Sequence, residues 1–248
     1  MGVILRYKDI LPLYKTRGYR LKELEKYKFW FPISHSEKLA GIIADLICDG
    51  HLQGDPKWRI DYTSKSKKEI RRFSRELFYL FKIKGKIRKC NTNKFALTYN
   101  YWVNCSPLAK LLYLCGVPAG NKVKQKFVVP EWILKNKIFF RRFIQRMFTC
   151  EGTIFFEKPR KLQLRLELWK LEKYVDSNKR LIDELKYYLK KYFEIESSVK
   201  VQKRFLNQQD NEYRRAVRIY LFKDAVKKFS KHIGFEGEKQ KKLAVLMG

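Results

Sequence analysis

Acidic side chains are scarce in this chain. Asp and Glu number 25 against 56 Lys and Arg, a formal net charge of +31 over 248 residues. A compact chain with that much like charge repels itself, and the usual relief is a polyanion, either nucleic acid or an anionic membrane. The membrane reading lacks its requirements. No apolar run is long enough to span a bilayer, Met1 opens no signal-peptide or lipidation pattern, and the aromatics are scattered rather than gathered on one basic amphipathic helix. The expectation is a nucleic-acid partner and no membrane, in an intracellular setting (cytoplasm or nucleoid, an organelle if the source is eukaryotic).

Histidine and cysteine are also sparse. His35, His51 and His232 are the three histidines; Cys48, Cys90, Cys105, Cys115 and Cys150 are five cysteines with no CxxC pair. A zinc finger or a Cys/His catalytic pair needs tighter clustering, so reduced, mostly buried thiols are expected. What is plentiful is core material: 45% hydrophobic and 15% aromatic residues, which excludes disorder for the chain as a whole.

Periodicity gives one order of elements twice. An apolar helical run over 37–50 ends in Cys48-Asp49-Gly50. A strand at about 57–64 follows, then an amphipathic helix from Ser66 to about Phe81. Strands near 83–90 and 94–104 come next, and a helix from Ser106 to about Cys115. The second pass starts near Phe139 with a helix ending in Cys150-Glu151-Gly152. It continues with an alternating strand at 161–169, a helix at 172–193, strands near 197–205 and 213–222, and a helix at 223–233. Cys115-Gly116-Val117-Pro118-Ala119-Gly120 is echoed by Ile233-Gly234-Phe235-Glu236-Gly237. The pattern predicts an α+β chain with two pseudo-twofold halves, 36–117 and 139–248, joined by a linker at 118–138. Residues 1–35 form a basic, aromatic extension (Tyr14, Lys15, Arg17, Tyr19, Arg20, Trp30), either a DNA-contacting arm or a packed helical addition.

Each half sets an acid before glycine at the end of an apolar helix. Glycine is favoured where a helix stops and turns, and a carboxylate there faces the negative end of the helix dipole. Such an acid is poorly placed alone and well placed to hold a divalent cation. Two of these helices side by side would bring Asp49 and Glu151 together at the symmetry axis, where a hard ion such as Mg²⁺ offsets their repulsion. The bland alternative is two ordinary helix ends with solvated acids.

The run Leu39-Ala40-Gly41-Ile42-Ile43-Ala44-Asp45-Leu46-Ile47-Cys48-Asp49-Gly50-His51-Leu52 resembles the motif of the LAGLIDADG homing endonucleases, in its archaeal form. Phe143-Ile144-Gln145-Arg146-Met147-Phe148-Thr149-Cys150-Glu151-Gly152-Thr153-Ile154 resembles its second copy, and Gly116-Val117-Pro118-Ala119-Gly120 with Val129-Pro130-Glu131-Trp132-Ile133 resembles the family's linker. The likeness covers about residues 37–240. It implies a monomer with internal pseudo-symmetry, built of two αββαββα halves whose antiparallel sheets form a saddle on double-stranded DNA.

The same resemblance implies a metal-dependent endonuclease that cuts both strands of a long asymmetric target, leaving short 3′ overhangs. Asp49 and Glu151 would ligate Mg²⁺ (or Mn²⁺), with the backbone carbonyls of Cys48 and Cys150 completing the shell. Lys65 and Lys170, at the end of the first strand of each half, would stabilise charge at the scissile phosphates. Lys57, Arg59, Lys84, Lys86, Arg88, Lys161, Gln163, Arg165, Lys200, Gln202, Arg204, Arg214 and Arg218 would bind phosphates and read bases. No splicing module surrounds these halves, so the gene is expected within an intron or free-standing. The alternatives are an RNA-binding intron splicing factor (maturase) on the same scaffold, with intron RNA as partner, and a DNA-binding protein without catalysis. One departure stands out. The family usually has glycine six residues before the terminal glycine, where this chain has Ala44 and Arg146. The arginine should widen the helix crossing or point out along a groove. Asp45 is expected in a salt bridge rather than at the metal.

Overall fold

The computed structural model describes residues 2–14, 18–90, 97–157 and 161–247, with the side chains of residues 18–20 left out. It divides into two compact units, Met1–Gly120 and Asn121–Gly248. Among the described residues no helix is long and apolar enough to cross a membrane.

The first unit opens with β1 (Val3–Leu5), α1 (Tyr7–Ile10), α2 (Gly18–Glu25) and β2 (Ile33–Ser34), β1 pairing antiparallel with β2. Then come α3 (Glu37–Ile47), β3 (Gly50–Gln53), β4 (Arg59–Ser64), α4 (Lys67–Phe81), β5 (Lys86–Cys90), β6 (Thr98–Val103) and α5 (Ser106–Leu114). The antiparallel sheet runs β3-β4-β6-β5.

Helix α3 starts where the Ser36 hydroxyl accepts the Leu39 amide at 3.1 Å, with Glu37 in the first turn to oppose the dipole. Every residue from Leu39 to Ile47 is buried, so the helix is enclosed all round. The one charged residue of that buried stretch is Asp45, fully buried and 2.7 Å from Arg72, which also reaches Glu69 and Glu76. Asp45 is therefore structural. Helix α4 lays Ile70, Phe73, Leu77 and Phe81 on the sheet, with the Phe73 ring stacked 4.4 Å from Tyr62. The N-terminal extension is a packed addition in its described part. The Trp30 indole donates to the Phe81 carbonyl at 2.9 Å, and the Lys110 ammonium donates to Leu13 at 2.9 Å while lying over the Tyr14 ring. Lys15, Arg17 and the side chains of Tyr19 and Arg20 lie outside the described residues, as do 94–96 of the strand expected at 94–104.

The second unit follows with α6 (Glu131–Leu134), α7 (Lys137–Glu151), β7 (Gly152–Phe156), β8 (Leu162–Leu171), α8 (Val175–Phe193), β9 (Ser198–Val201), β10 (Phe205–Asn207), β11 (Glu212–Phe222), α9 (Asp224–His232) and α10 (Gly237–Met247). Its sheet runs β10-β11-β8-β7, with β9 also on β11. The two units thus repeat the α-β-β-α-β-β-α order, elaborated in the second by splitting the strand expected at 197–205 into β9 and β10. On β8, Leu164, Leu166 and Leu168 are buried as alternation predicts, but Gln163 of the opposite face is buried too, held by Glu157.

Strands β3 and β7 were not legible from periodicity. Each is short and leaves its helix directly, so α3 ends at Ile47 and the chain is already extended by Gly50.

Arg146 neither points outward nor lies in an open groove. Its side chain is fully buried, donating to Glu236 at 2.5 Å, and Arg142 donates to the same carboxylate. The first unit has alanine at both matching places, Ala44 and Ala119. In the second unit the charges stand as a pair, one on α7 and one in the turn before α10. Removing one partner of a buried pair strands the other in low dielectric. Glu236→Ala should cost about 3–5 kcal/mol of unfolding free energy, read from urea denaturation; a loss under about 1 kcal/mol would show that the arginines find other partners.

Candidate nucleic-acid and metal site

The two acid-glycine junctions are built alike, but not by the αL turn that a helix-stopping glycine suggests. Neither Gly50 nor Gly152 is among the glycines with positive φ; Gly152 is extended, at φ −76 and ψ 148. Close approach is what demands glycine. A Cβ on Gly50 would lie 2.7 Å from the Leu46 Cα, and one on Gly152 2.2 Å from the Phe148 carbonyl oxygen. No side chain fits between the departing strand and the helix it has just left. The αL glycines are those of the echoed segment: Gly116 and Gly120 (φ 107 and 86), and Gly234 and Gly237 (φ 69 and 62).

These junctions leave Asp49 exposed in the turn after α3 and Glu151 partly exposed as the last residue of α7. Carboxylates are hard oxygen donors suited to Mg²⁺, Mn²⁺ or Ca²⁺. Among the described residues no group of three or more His, Cys, Asp or Glu converges on one point. The Cys150 carbonyl, expected as a metal ligand, already accepts from the Lys239 ammonium at 3.1 Å, and the Gly152 carbonyl accepts from it at 2.6 Å. The segment before Lys239 is laced to α7 as well. Gln145 donates to the Ile233 carbonyl at 2.8 Å, and the Glu236 amide donates to the Thr149 hydroxyl at 3.1 Å. An ammonium at a helix C-terminus complements the dipole. Sequence reasoning missed Lys239, although it follows Gly237 at the spacing by which Lys122 follows Gly120.

Lys65 and Lys170 are not equivalent. Gly50 pairs with Tyr62 and Gly152 with Leu166, so in strand register Lys65 matches Trp169 and Lys170 matches Ser66. Lys65 is exposed in the bend before α4. Lys170 is buried on the same side of β8 as Leu164, Leu166 and Leu168. Its ammonium donates to the backbone carbonyls of Lys122 and Gln125, the latter at 2.8 Å, and sits 3.9 Å from the centre of the Phe127 ring. Burial, with the nearby Lys122 charge, brings its pKa down to about 7.

Residues paired across an antiparallel ladder point to one side. In the first unit the side turned away from α4 carries His51, Arg59, Asp61, Lys86, Arg88 and Trp102. Arg59 pairs with Asp61 at 2.9 Å, while Lys86 and Arg88 lie over the Trp102 ring. Lys57 is in the exposed turn before β4, and Lys84 precedes β5 beside Phe78 of α4, so neither belongs to this face.

In the second unit Gln163, Arg165, Lys200, Arg214 and Arg218 share a side by register. Arg165 lies over Phe155 and Lys200 over Tyr220. Arg218 is held by Glu167 and by Gln202, at 2.7 Å, and Arg214 by Asp210 at 2.7 Å. Arg204 lies over Tyr213, and Lys161 is exposed just before β8. The aromatic rings under the cations were missed, and Asp61 and Glu167, though on the charged sides of their strands by alternation, were not expected as the partners that hold Arg59 and Arg218. Charge alone selects neither.

No protein-family model matches the chain. It is 30% identical over 208 residues to the replication factor C small subunit of Methanocaldococcus jannaschii, a match covering 76% of this chain and 11% of that protein's length. Among solved structures, the homing endonuclease I-WcaI bound to its DNA recognition sequence aligns with a TM-score of 0.56 at 14% identity, covering 95% of this chain and 96% of that one. The N-terminal LAGLIDADG domain of DUF199/WhiA aligns at 0.51 with 15% identity, over 98% and 100%. I-DmoI in complex with DNA and Mn aligns at 0.50 with 18% identity, over 79% and 96%. Likeness at this identity speaks to architecture alone, and with the twice-repeated α-β-β-α-β-β-α order it establishes that this chain has the LAGLIDADG fold.

Proposed function

We propose that this chain is a divalent-metal-dependent endonuclease acting on double-stranded DNA. The observation that carries the reading is the repeated junction, in which a largely buried helix ends in a carboxylate and a glycine in backbone contact begins a sheet strand. One face of each sheet bears cations standing on aromatic rings. DNA-bound homing endonucleases with the same fold support it.

Asp49 and Glu151 fit Mg²⁺ or Mn²⁺ by donor chemistry, since Mg²⁺ is commonly held by one or two carboxylates together with substrate phosphate oxygens. Such an ion, when bound, lowers the pKa of a water and takes up charge on the phosphate. The chain's own residues do the rest. Arg165, Lys200, Lys86 and Arg88 bind phosphates from rigid aromatic seats. Arg218, fixed by Glu167 and Gln202, is held ready for base edges. The two faces differ residue by residue, so an asymmetric target follows. Lys65 offers an exposed charge near the first junction, and Lys239 neutralises the carbonyl end of α7 beside Glu151. The Cys48 carbonyl remains a further proposed ligand. An intron-borne or free-standing gene is the proposed setting, whereas the Methanocaldococcus segment is part of a much longer chain.

Lys170, poised near neutrality, can exchange a proton at physiological pH. Its folded pKa lies below the unfolded value, so between pH 7 and 10.5 the unfolded chain binds the extra proton and stability rises with pH. Urea denaturation should show that rise in the wild type and lose it in Lys170→Met; parallel curves would mean that the carbonyls keep Lys170 charged. Asp49→Asn and Glu151→Gln should each lower Mn²⁺- or Mg²⁺-dependent cleavage of a randomised duplex library by more than about a hundredfold, with duplex binding retained in gel shift. Cleavage surviving both changes would sink the assignment. Binding should weaken by about 10³ or more between 50 and 200 mM salt if six or more phosphates are contacted, and a flat response would remove the sheet faces as the binding surface.

A further inference from the structure

One place on the charged side of the second sheet is apolar. Trp169, near the end of β8, and Phe205, at the start of β10, are 37% and 57% exposed. By register both lie on the side that carries Arg165, Lys200, Arg214 and Arg218. Strand β11 runs between their two strands, and the rings meet across it edge to face, with centres 6.3 Å apart. They can do so because the β11 partner of Trp169 is the small Ala216, itself fully buried. The indole N–H donates to the Glu167 carboxylate at 2.8 Å, and the other oxygen of that carboxylate holds Arg218. Glu167 thus fixes the indole and takes up its one donor. Phe205 has no polar side-chain atom. What the pair offers a ligand is carbon surface alone, framed by cations.

An apolar protein surface laid here would bury the framing cations without counter-charge. A duplex supplies the counter-charge as phosphate. The rings belong to ladder strands of a broad sheet, which suits contact with base edges rather than insertion between stacked bases. A sheet laid along a duplex enters the major groove, about 12 Å wide, where base edges present nitrogen and oxygen groups and one apolar group, the C5-methyl of thymine. We propose that Trp169 and Phe205 are specificity-determining residues that select thymine by its methyl group in the stretch of target covered by the second sheet. The proposal rests on the duplex-DNA reading above and names a base within it. In strand register the first unit has Lys65 where the second has Trp169, so this thymine requirement belongs to one part of the target and adds to its asymmetry.

The experiment selects bound duplexes from a randomised library by gel shift, with the full chain and no divalent metal, so that cleavage plays no part. Each thymine of the preferred duplex is then replaced in turn by deoxyuridine, which removes the methyl group and keeps the base pair. For the wild type, one or two of these replacements should weaken binding about fourfold each. Trp169→Ala/Phe205→Ala should still bind the duplex, with its salt dependence kept, yet be indifferent to the methyl group at those same positions. A merely structural role would weaken binding overall and leave the methyl effect in place. Phe205→Ala, at the more exposed ring, carries the same test where the double variant unfolds at a lower temperature. A preferred duplex in which no thymine methyl matters, or a methyl effect that persists in both variants, would overturn the proposal and leave the duplex reading standing. Failure to bind any duplex would overturn both.

Discussion

Backbone contact between a helix and the strand that leaves it is the constraint on which the rest of this structure depends. At Gly50 and at Gly152 the chain passes so near the preceding helical turn that a single methyl group would collide with it. That contact fixes where each strand begins and, through Gly50–Tyr62 and Gly152–Leu166, the register of each sheet. Register in turn decides which side chains face the covering helix and which face outward, since a one-residue slip would exchange the two. The position of Asp49 and Glu151, one residue before the contact, is a consequence of the same geometry.

Around this shared device the two units have diverged. The first keeps alanine at residues 44 and 119, where the second has Arg146 and Glu236 joined as a buried ion pair. Arg142 shares that carboxylate, so α7 is tied to the segment leading into α10 by charge as well as by hydrogen bonds from the Gln145 amide to the Ile233 carbonyl and from the Glu236 amide to the Thr149 hydroxyl. Lys65 and Lys170 look like counterparts in the primary sequence, yet one is exposed at a helix entry and the other is buried against connector carbonyls. Internal symmetry here is a property of the backbone; the polar chemistry hung on it is different in each half.

The large positive charge is partitioned rather than spread evenly. Some cations are committed to the fold, as Arg72 is to Asp45 and Arg146 to Glu236. Others stand over rings on the sheet faces, where the aromatic surface limits their freedom and leaves their charge for a ligand. A third set, Lys68, Arg71 and Arg75, lines a groove along α4. Self-repulsion would be severe if all were equivalent, and the committed ion pairs offset part of it.

Local pattern made much of the architecture readable. The apolar runs at 37–50 and 139–151, the alternation of β8 and the amphipathic spacing of α4 each report a face that must be buried, so helix, strand and repeat order followed from spacing. Asp49 and Glu151 were readable because an acid before glycine at a helix end is unusual twice over. By itself the sequence determined the helices and the longer strands, their repeat, the basic character and the acid-glycine pair at two helix ends. Tertiary structure alone decided why the glycines are there, that Arg146 turns inward to Glu236, that Lys170 is buried near neutrality, and that Lys239 reaches the carbonyls beside Glu151. The glycines answer to the helical turn four residues back, but the other three facts depend on residues about 45 to 90 positions apart coming within hydrogen-bond distance, and one-dimensional periodicity carries no information about which distant groups will meet.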